Sequence, residues 1–106
     1  MPTSPEEMET HMRQAAAKLG ARLPGRLRIA FRPLAEAYFR TTARGRELRV
    51  VVNDAFDGAS PQVMAAMAEV MVAKASGAAR PRTVGKEFWA YVETDGLRSR
   101  MESNYL

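Results

Sequence analysis

The sequence predicts an α+β domain with an N-terminal helix, a three-stranded antiparallel-type sheet, a central buried helix and a C-terminal helix, in the order α-β-β-β-α-α. The alternating stretch "RLRIAFR" is typical of a half-buried strand. The stretch "SPQVMAAMAEVMVAK" is apolar on nearly all sides, which is typical of a helix at the centre of a core. The chain has 106 residues, 46% of them hydrophobic. That length allows one core, so we expect a single domain over residues 1–106.

Residues 1–25 are expected to form a helix and a linker. Ser4 is placed as the N-cap, Pro5 lies in the first turn, and Glu7 is spaced to close a capping box. Methionine, alanine and leucine residues follow at helical spacing, and Gly20 is a suitable C-terminal stop.

Residues 26–53 are predicted to form an arginine-rich sheet. In the first strand, Leu27, Ile29 and Phe31 lie on one side and arginines lie on the other. The stretch "EAYFRTT" is predicted as the second strand, a turn follows around Gly45, and "LRVVVN" is predicted as the third strand.

The central helix is predicted over residues 60–76, opened by Ser60 as N-cap and by a proline in the first position. Its polar positions are seven residues apart and form one narrow stripe, which comprises Gln62, Glu69 and Ser76. We expect this helix to lie under the sheet, with the N-terminal or the C-terminal helix on its other side.

Residues 83–106 are expected to form a C-terminal helix and a tail. Thr83 is a suitable first residue for this helix, and Gly96 is a suitable end. The tail "LRSRMESNYL" is compatible with a further short helix.

The order of these elements resembles that of the minimal zincin metalloproteases, namely the SprT-like proteins and small gluzincin-type peptidases. The resemblance covers roughly residues 26–92. It rests on three strands, then "ND", a loop and "SPQVM" opening the central helix, then "VGKEFW". Members of these families carry HExxH on that helix and often a third ligand in an HG-x-x-F or HG-x-x-W motif. In "VGKEF", Val84 stands where that motif has histidine.

This chain departs from the family in the residues that would bind zinc. HExxH places two imidazoles on one helix face, with a glutamate that polarises the zinc-bound water. No histidine or cysteine lies in residues 61–76. If the lost motif corresponds to Ala68–Val72, Glu69 is a relic of the general base; if it corresponds to Val70–Lys74, no acid remains. The alternative for Glu69 is a solvated acid on the polar stripe.

Other chemistry-bearing residues form no recognisable catalytic set. His11 is the only histidine and is expected at the helix surface, so no Ser-His-Asp triad can be assembled around it. Asp54 and Asp57 are expected to be ordinary loop acids. We therefore expect no enzymatic activity, no metal and no cofactor.

The positive charge is concentrated in one segment. Residues 22–49 carry eight arginines against Glu36 and Glu47, a net of +6, whereas the whole chain has a formal net charge of +4. Arginine favours bidentate recognition of phosphate or carboxylate. The candidate nucleic-acid or anion-binding residues are Arg26, Arg28, Arg32, Arg40, Arg44, Arg46 and Arg49. Tyr38 and Phe39 lie nearby and are candidates for base stacking, although one of them is expected to face the core.

Three functions remain open on this basis. The resemblance implies a catalytically inactive metalloprotease-like domain that acts by binding. The arginines indicate a small nucleic-acid-binding protein, or they only make the surface soluble. The third alternative is a hydrolase of unrecognised type. The partner is unknown and is either a protein or nucleic acid. No membrane span is expected, and the acidic N-terminus does not resemble a signal peptide, so a cytoplasmic location is expected.

Overall fold

The computed structural model describes residues 3–104, which form four α-helices and a three-stranded sheet. The helices are α1 (Pro5–Leu19), α2 (Pro61–Ser76), α3 (Lys86–Val92) and α4 (Asp95–Ser103). The strands are β1 (Arg26–Arg32), β2 (Phe39–Arg44) and β3 (Glu47–Asn53). The predicted α+β class and the order of helix, three strands and helices are confirmed.

The two long helices begin where the capping residues predict. The Ser4 side chain accepts a hydrogen bond from the Glu7 backbone N–H, and the Glu7 carboxylate accepts one from the Ser4 N–H, which completes the capping box. The Ser60 side chain accepts from the backbone N–H of Val63 at the start of α2. These bonds satisfy backbone donors that have no partner within the helix.

The sheet is mixed, and its strand order is β1-β3-β2. β2 and β3 are antiparallel, but β1 and β3 are parallel, so the prediction of an antiparallel-type sheet is wrong for that pair. The alternating pattern shows which side chains share a face, but it does not show which strands are neighbours.

The segment that connects β1 to β2 is anchored by a buried asparagine. The Asn53 side chain is 0% exposed and donates to the carbonyl oxygens of Leu34 and Ala37 at 2.8 and 2.9 Å. Because this segment is fixed at the end of β3, β1 and β2 lie on opposite sides of that strand.

One face of the sheet is covered by helices. α1 lies beneath β1, α2 lies beneath β2, and the two helices pack side by side. The inward side chains of β3, including Val50 and Val52, are buried with the methionines of α1 and α2. α3 packs on another side of α2, so α2 is central, and eight of its residues are buried.

The carboxylate of Glu69 is mostly covered, so it is not a freely solvated acid. Its side chain is 18% exposed, and both carboxylate oxygens lie 3.3 Å from Nζ of Lys18 on α1. The Lys18 side chain is 67% exposed. The ion pair therefore links two helices near the surface, where such pairs contribute little to stability.

The C-terminal region differs from the prediction of one helix from Thr83 to Gly96. Thr83 ends a short 3₁₀ turn, and α3 begins at Lys86, after Gly85 in a left-handed conformation. A second helix then starts behind Thr94, so Gly96 lies inside α4 and does not end a helix. The last two residues of the predicted tail lie outside the described residues.

The loop after β3 contributes to the core. Phe56 is 1% exposed and stacks on Phe88 with ring centroids 5.7 Å apart. The neighbouring Asp54 and Asp57 are exposed. Loop composition alone predicted only the polarity of this segment, because a single phenylalanine between two acids gives no periodicity.

Candidate functional site

The register of the sheet places six of the seven candidate arginines on one face. Residues paired across neighbouring strands point to the same side of a sheet. Arg26 and Arg44 both pair with Glu47, Arg28 pairs with Arg49, and Arg40 pairs with Val51. Arg32 is four residues from Arg28 on β1 and therefore faces the same way. We call this surface, opposite the helices, the arginine face; it comprises Arg26, Arg28, Arg32, Arg40, Arg44 and Arg49 with Glu47.

Arg46 lies apart from the others, in the tight turn between β2 and β3. The adjacent Gly45 has φ 58°, a left-handed conformation that glycine adopts without steric cost. Arg46 is exposed at the end of this hairpin, next to the arginine face.

Glu47 lies among the arginines and is the acid of this face. Its side chain is 16% exposed. Nε of Arg49 donates to one carboxylate oxygen at 2.9 Å, Nε of Arg28 contacts the other oxygen, and Nε of Arg26 lies 3.9 Å away. The hydrogen bond from Arg49, followed by that from Arg28, lowers the pKa of Glu47 below its ordinary value, and burial opposes this only in part.

The arginines of this face are of two kinds. Arg26, Arg28 and Arg49 share one carboxylate, although their side chains are still 71%, 57% and 51% exposed. The other three, Arg32, Arg40 and Arg44, are exposed and form no ion pair with the described part of the chain. Six guanidinium groups and one carboxylate give the face a formal charge of +5, which exceeds the +4 of the whole chain.

An open groove of about 650 Å³ runs along β1 and β3 on this side of the molecule. Its charged lining is Arg26, Arg28, Arg32 and Arg49, and its floor includes Ala30 and Val51. Small residues between the arginines leave room for a ligand to lie close to the backbone of the sheet.

The nearby aromatic side chains do not lie on this face. Phe39 is in register with the buried Val52 and packs against Phe88, with ring centroids 6.4 Å apart. The Tyr38 ring lies edge-on to Phe88 at 5.7 Å. We expected one of these two residues to face the core, and in fact both contact it.

The remaining predicted residues are scattered. Glu69 is paired with Lys18, and His11 is half-buried on α1. Among residues 3–104, no group of three or more His, Cys, Asp or Glu side chains is placed to hold a metal ion. The motif that resembles HG-x-x-F does lie against α2, because a Cβ built on Gly85 would be 2.5 Å from the Ala66 carbonyl oxygen.

Comparison with protein-family models, curated proteins and solved structures finds no match to this chain. None of the helices in the described residues is both long and apolar enough to cross a bilayer.

Glu47 is the functional candidate that sequence reasoning missed. It was counted only as one of two acids that reduce the charge of the arginine-rich segment. The alternation of β3 does place Glu47 and Arg49 on one face, and that signal was available in the sequence. Its contact with Arg28 depends on the pairing of β1 with β3, which the sequence did not reveal.

Proposed function

We propose that this chain is a small binding module whose arginine face holds the sugar–phosphate backbone of a double-stranded nucleic acid. The observation that carries the proposal is the presence of six exposed arginines with a single acid on a sheet face that the helices leave uncovered. Guanidinium groups form charge-assisted, bidentate hydrogen bonds with phosphate oxygens. Alternate residues of a strand are about 6.6 Å apart, so the arginines form an extended array and not a pocket.

A duplex fits this face better than a single strand does. Proteins that bind single strands combine a basic groove with aromatic side chains on which the bases stack. Here the rings of Tyr38 and Phe39 contact Phe88 in the core. The arginine face therefore offers contacts to the backbone and no stacking platform, which favours binding without sequence preference.

The test is the salt dependence of binding to a fluorescently labelled 20-base-pair duplex. With four or five phosphate contacts, affinity is expected to fall by a factor on the order of 10² to 10³ between 50 and 200 mM salt. The variant Arg32→Gln/Arg40→Gln/Arg44→Gln removes the three unpaired arginines, so the log–log slope should flatten by up to about 2.7.

The matched control is Arg22→Gln/Arg80→Gln/Arg98→Gln, which makes the same change in net charge at exposed positions away from the face. This control should retain most of the affinity and the slope. Equal slopes for the wild type and both triple variants would contradict the proposal and leave the arginines as a solubilising surface. Stronger retention on anionic vesicles than on the duplex would contradict it as well.

We also propose that the module is a metalloprotease-like domain without a catalytic site. In support of this, Gly85 of the "VGKEF" motif lies against Ala66 and Val70 of α2, the helix that carries HExxH in the families it resembles. Val84, at the position of the histidine in that motif, has no imidazole to offer.

Metal analysis of protein purified without a His-tag tests this second proposal. We expect no stoichiometric zinc and no peptide cleavage, because residues 61–76 contain no histidine or cysteine. One tightly held zinc per chain, lost together with a proteolytic activity, would overturn it.

A further inference from the structure

We infer that Glu47 is a built-in competitor for the ligand of the arginine face, and that its carboxylate limits how tightly this face holds polyanions. The inference rests on the proposed function, because it concerns the same surface. It assigns opposite roles to two groups of residues that composition would treat as one charged patch.

The first step is the position of the carboxylate. Glu47 lies on the central strand, and its neighbours in register are Arg26 on β1 and Arg44 on β2. Its side chain is only 16% exposed, whereas those of Arg28 and Arg49, with which it forms its shortest ion pairs, are more than half exposed. The acid thus lies below the guanidinium groups, on the protein side of the surface that a ligand would touch.

The second step is the chemistry of the contact. A carboxylate and a phosphate make the same kind of charge-assisted hydrogen bond to a guanidinium group. Glu47 uses the Nε–H groups of Arg28 and Arg49, so the four N–H groups on the Nη atoms of each arginine remain for other partners. A phosphate bound there would nevertheless lie a few ångströms from a second negative charge.

The third step is the division of the face. Arg32, Arg40 and Arg44 form no ion pair with the described residues, so their full charge is available to a phosphate. Arg28 and Arg49 have half or more of their charge compensated before any ligand arrives. We therefore expect the unpaired arginines to supply most of the binding, and the paired ones to contribute fully only when Glu47 is neutral.

The experiment compares Glu47→Gln with Glu87→Gln. Both variants remove one negative charge, but Glu87 is exposed on α3, away from the face. With the same 20-base-pair duplex at 50 mM salt, we expect Glu47→Gln to bind about tenfold more tightly, because it removes a unit charge a few ångströms from the bound phosphates. Its log–log salt slope should steepen by about 0.9 to 1.8, for one or two additional phosphate contacts. Glu87→Gln should change affinity less than twofold.

A weaker affinity and a flatter slope for Glu47→Gln would overturn the inference, because they would show that the carboxylate orients Arg28 and Arg49 for binding. Equal effects of Glu47→Gln and Glu87→Gln would also overturn it, because only net charge would then matter. Glu47→Thr repeats the removal of charge with a residue suited to a strand, in case the glutamine variant is unstable.

A second probe separates this inference from the proposed function. Heparin presents a dense array of sulfates and tests the arginine face even if duplex DNA is not the ligand. If the wild type fails to bind the duplex, the proposed function is wrong. Elution of Glu47→Gln from heparin at higher salt than Glu87→Gln would still support the role of Glu47, and co-elution of the two variants would contradict it.

Discussion

Glu47 and its arginine partners determine how the stability of this sheet responds to pH. The pKa of Glu47 is lowered in the folded protein, first by the hydrogen bond from Arg49 and then by Arg28. A carboxylate whose folded pKa is lowered stabilises the fold above its unfolded pKa, and this contribution disappears as the pH falls through the lowered folded value. The groups that face it from the neighbouring strands are Arg26, Arg28 and Arg44.

We therefore expect the difference in unfolding free energy between the wild type and Glu47→Gln to shrink on acidification. The glutamine cannot ionise, so subtracting the variant cancels the titration of the other acids. Urea unfolding of both proteins at about pH 6 and about pH 3 measures this difference. If the difference is the same at both values, then the ion pairs around Glu47 do not contribute to stability.

At the scale of residues, the sequence predicted which arginines share a face, but not which of them are paired. Alternation over "RLRIAFR" is enough to place Arg26, Arg28 and Arg32 together, because the period of a strand is two. The partner of each guanidinium depends on distances across the sheet. Those distances follow from strand order, which is a property of the tertiary structure.

The packing of α3 on α2 depends on a glycine. Gly85 precedes α3 with φ 69°, and a Cβ there would lie 2.5 Å from both the Ala66 carbonyl oxygen and Cγ2 of Val70. Such distances are too short for non-bonded atoms, and one of the two neighbours is backbone, which cannot rotate away. The start of α3 can therefore approach α2 this closely only without a side chain.

Gly85→Ala is expected to destabilise the protein by roughly 2 to 5 kcal/mol, from the left-handed backbone and the overpacking together. Gly77→Ala is the matched control, because Gly77 has φ 73° but no atom within 4 Å of its built Cβ. That variant should cost only about 1 to 2 kcal/mol. Chemical denaturation of both variants measures the two values, and equal losses would mean that the contact with α2 is not tight in solution.

Among the elements, α1 and α2 could be predicted because their signals are local. A serine, a proline and a periodic apolar face all lie within one stretch of chain, as at Ser4 and Ser60. The break between α3 and α4 was missed because Thr94, the residue that caps α4, lies within what looks like one continuous helix. Phe56 was missed as a core residue because its burial comes from distant aromatic partners.

Over the whole molecule, the charge is divided between the two sides of one thin sheet. The arginine face carries a formal charge of +5, so the rest of the chain sums to −1. A polyanion would therefore be attracted to a single side of the protein at a distance, which increases the association rate in low salt. The sequence predicted the excess of charge over residues 22–49, but the segregation to one side required the register of all three strands.

The order β1-β3-β2 also has a consequence for the chain as it is synthesised. β1 and β2 are made first, yet they are not neighbours, and every strand pairing in the described sheet involves β3. A nascent chain that ends before Glu47 therefore contains two strand sequences and none of the pairs that join them in the finished sheet. The sheet becomes possible only when the last strand emerges, and that strand then enters between the two that preceded it.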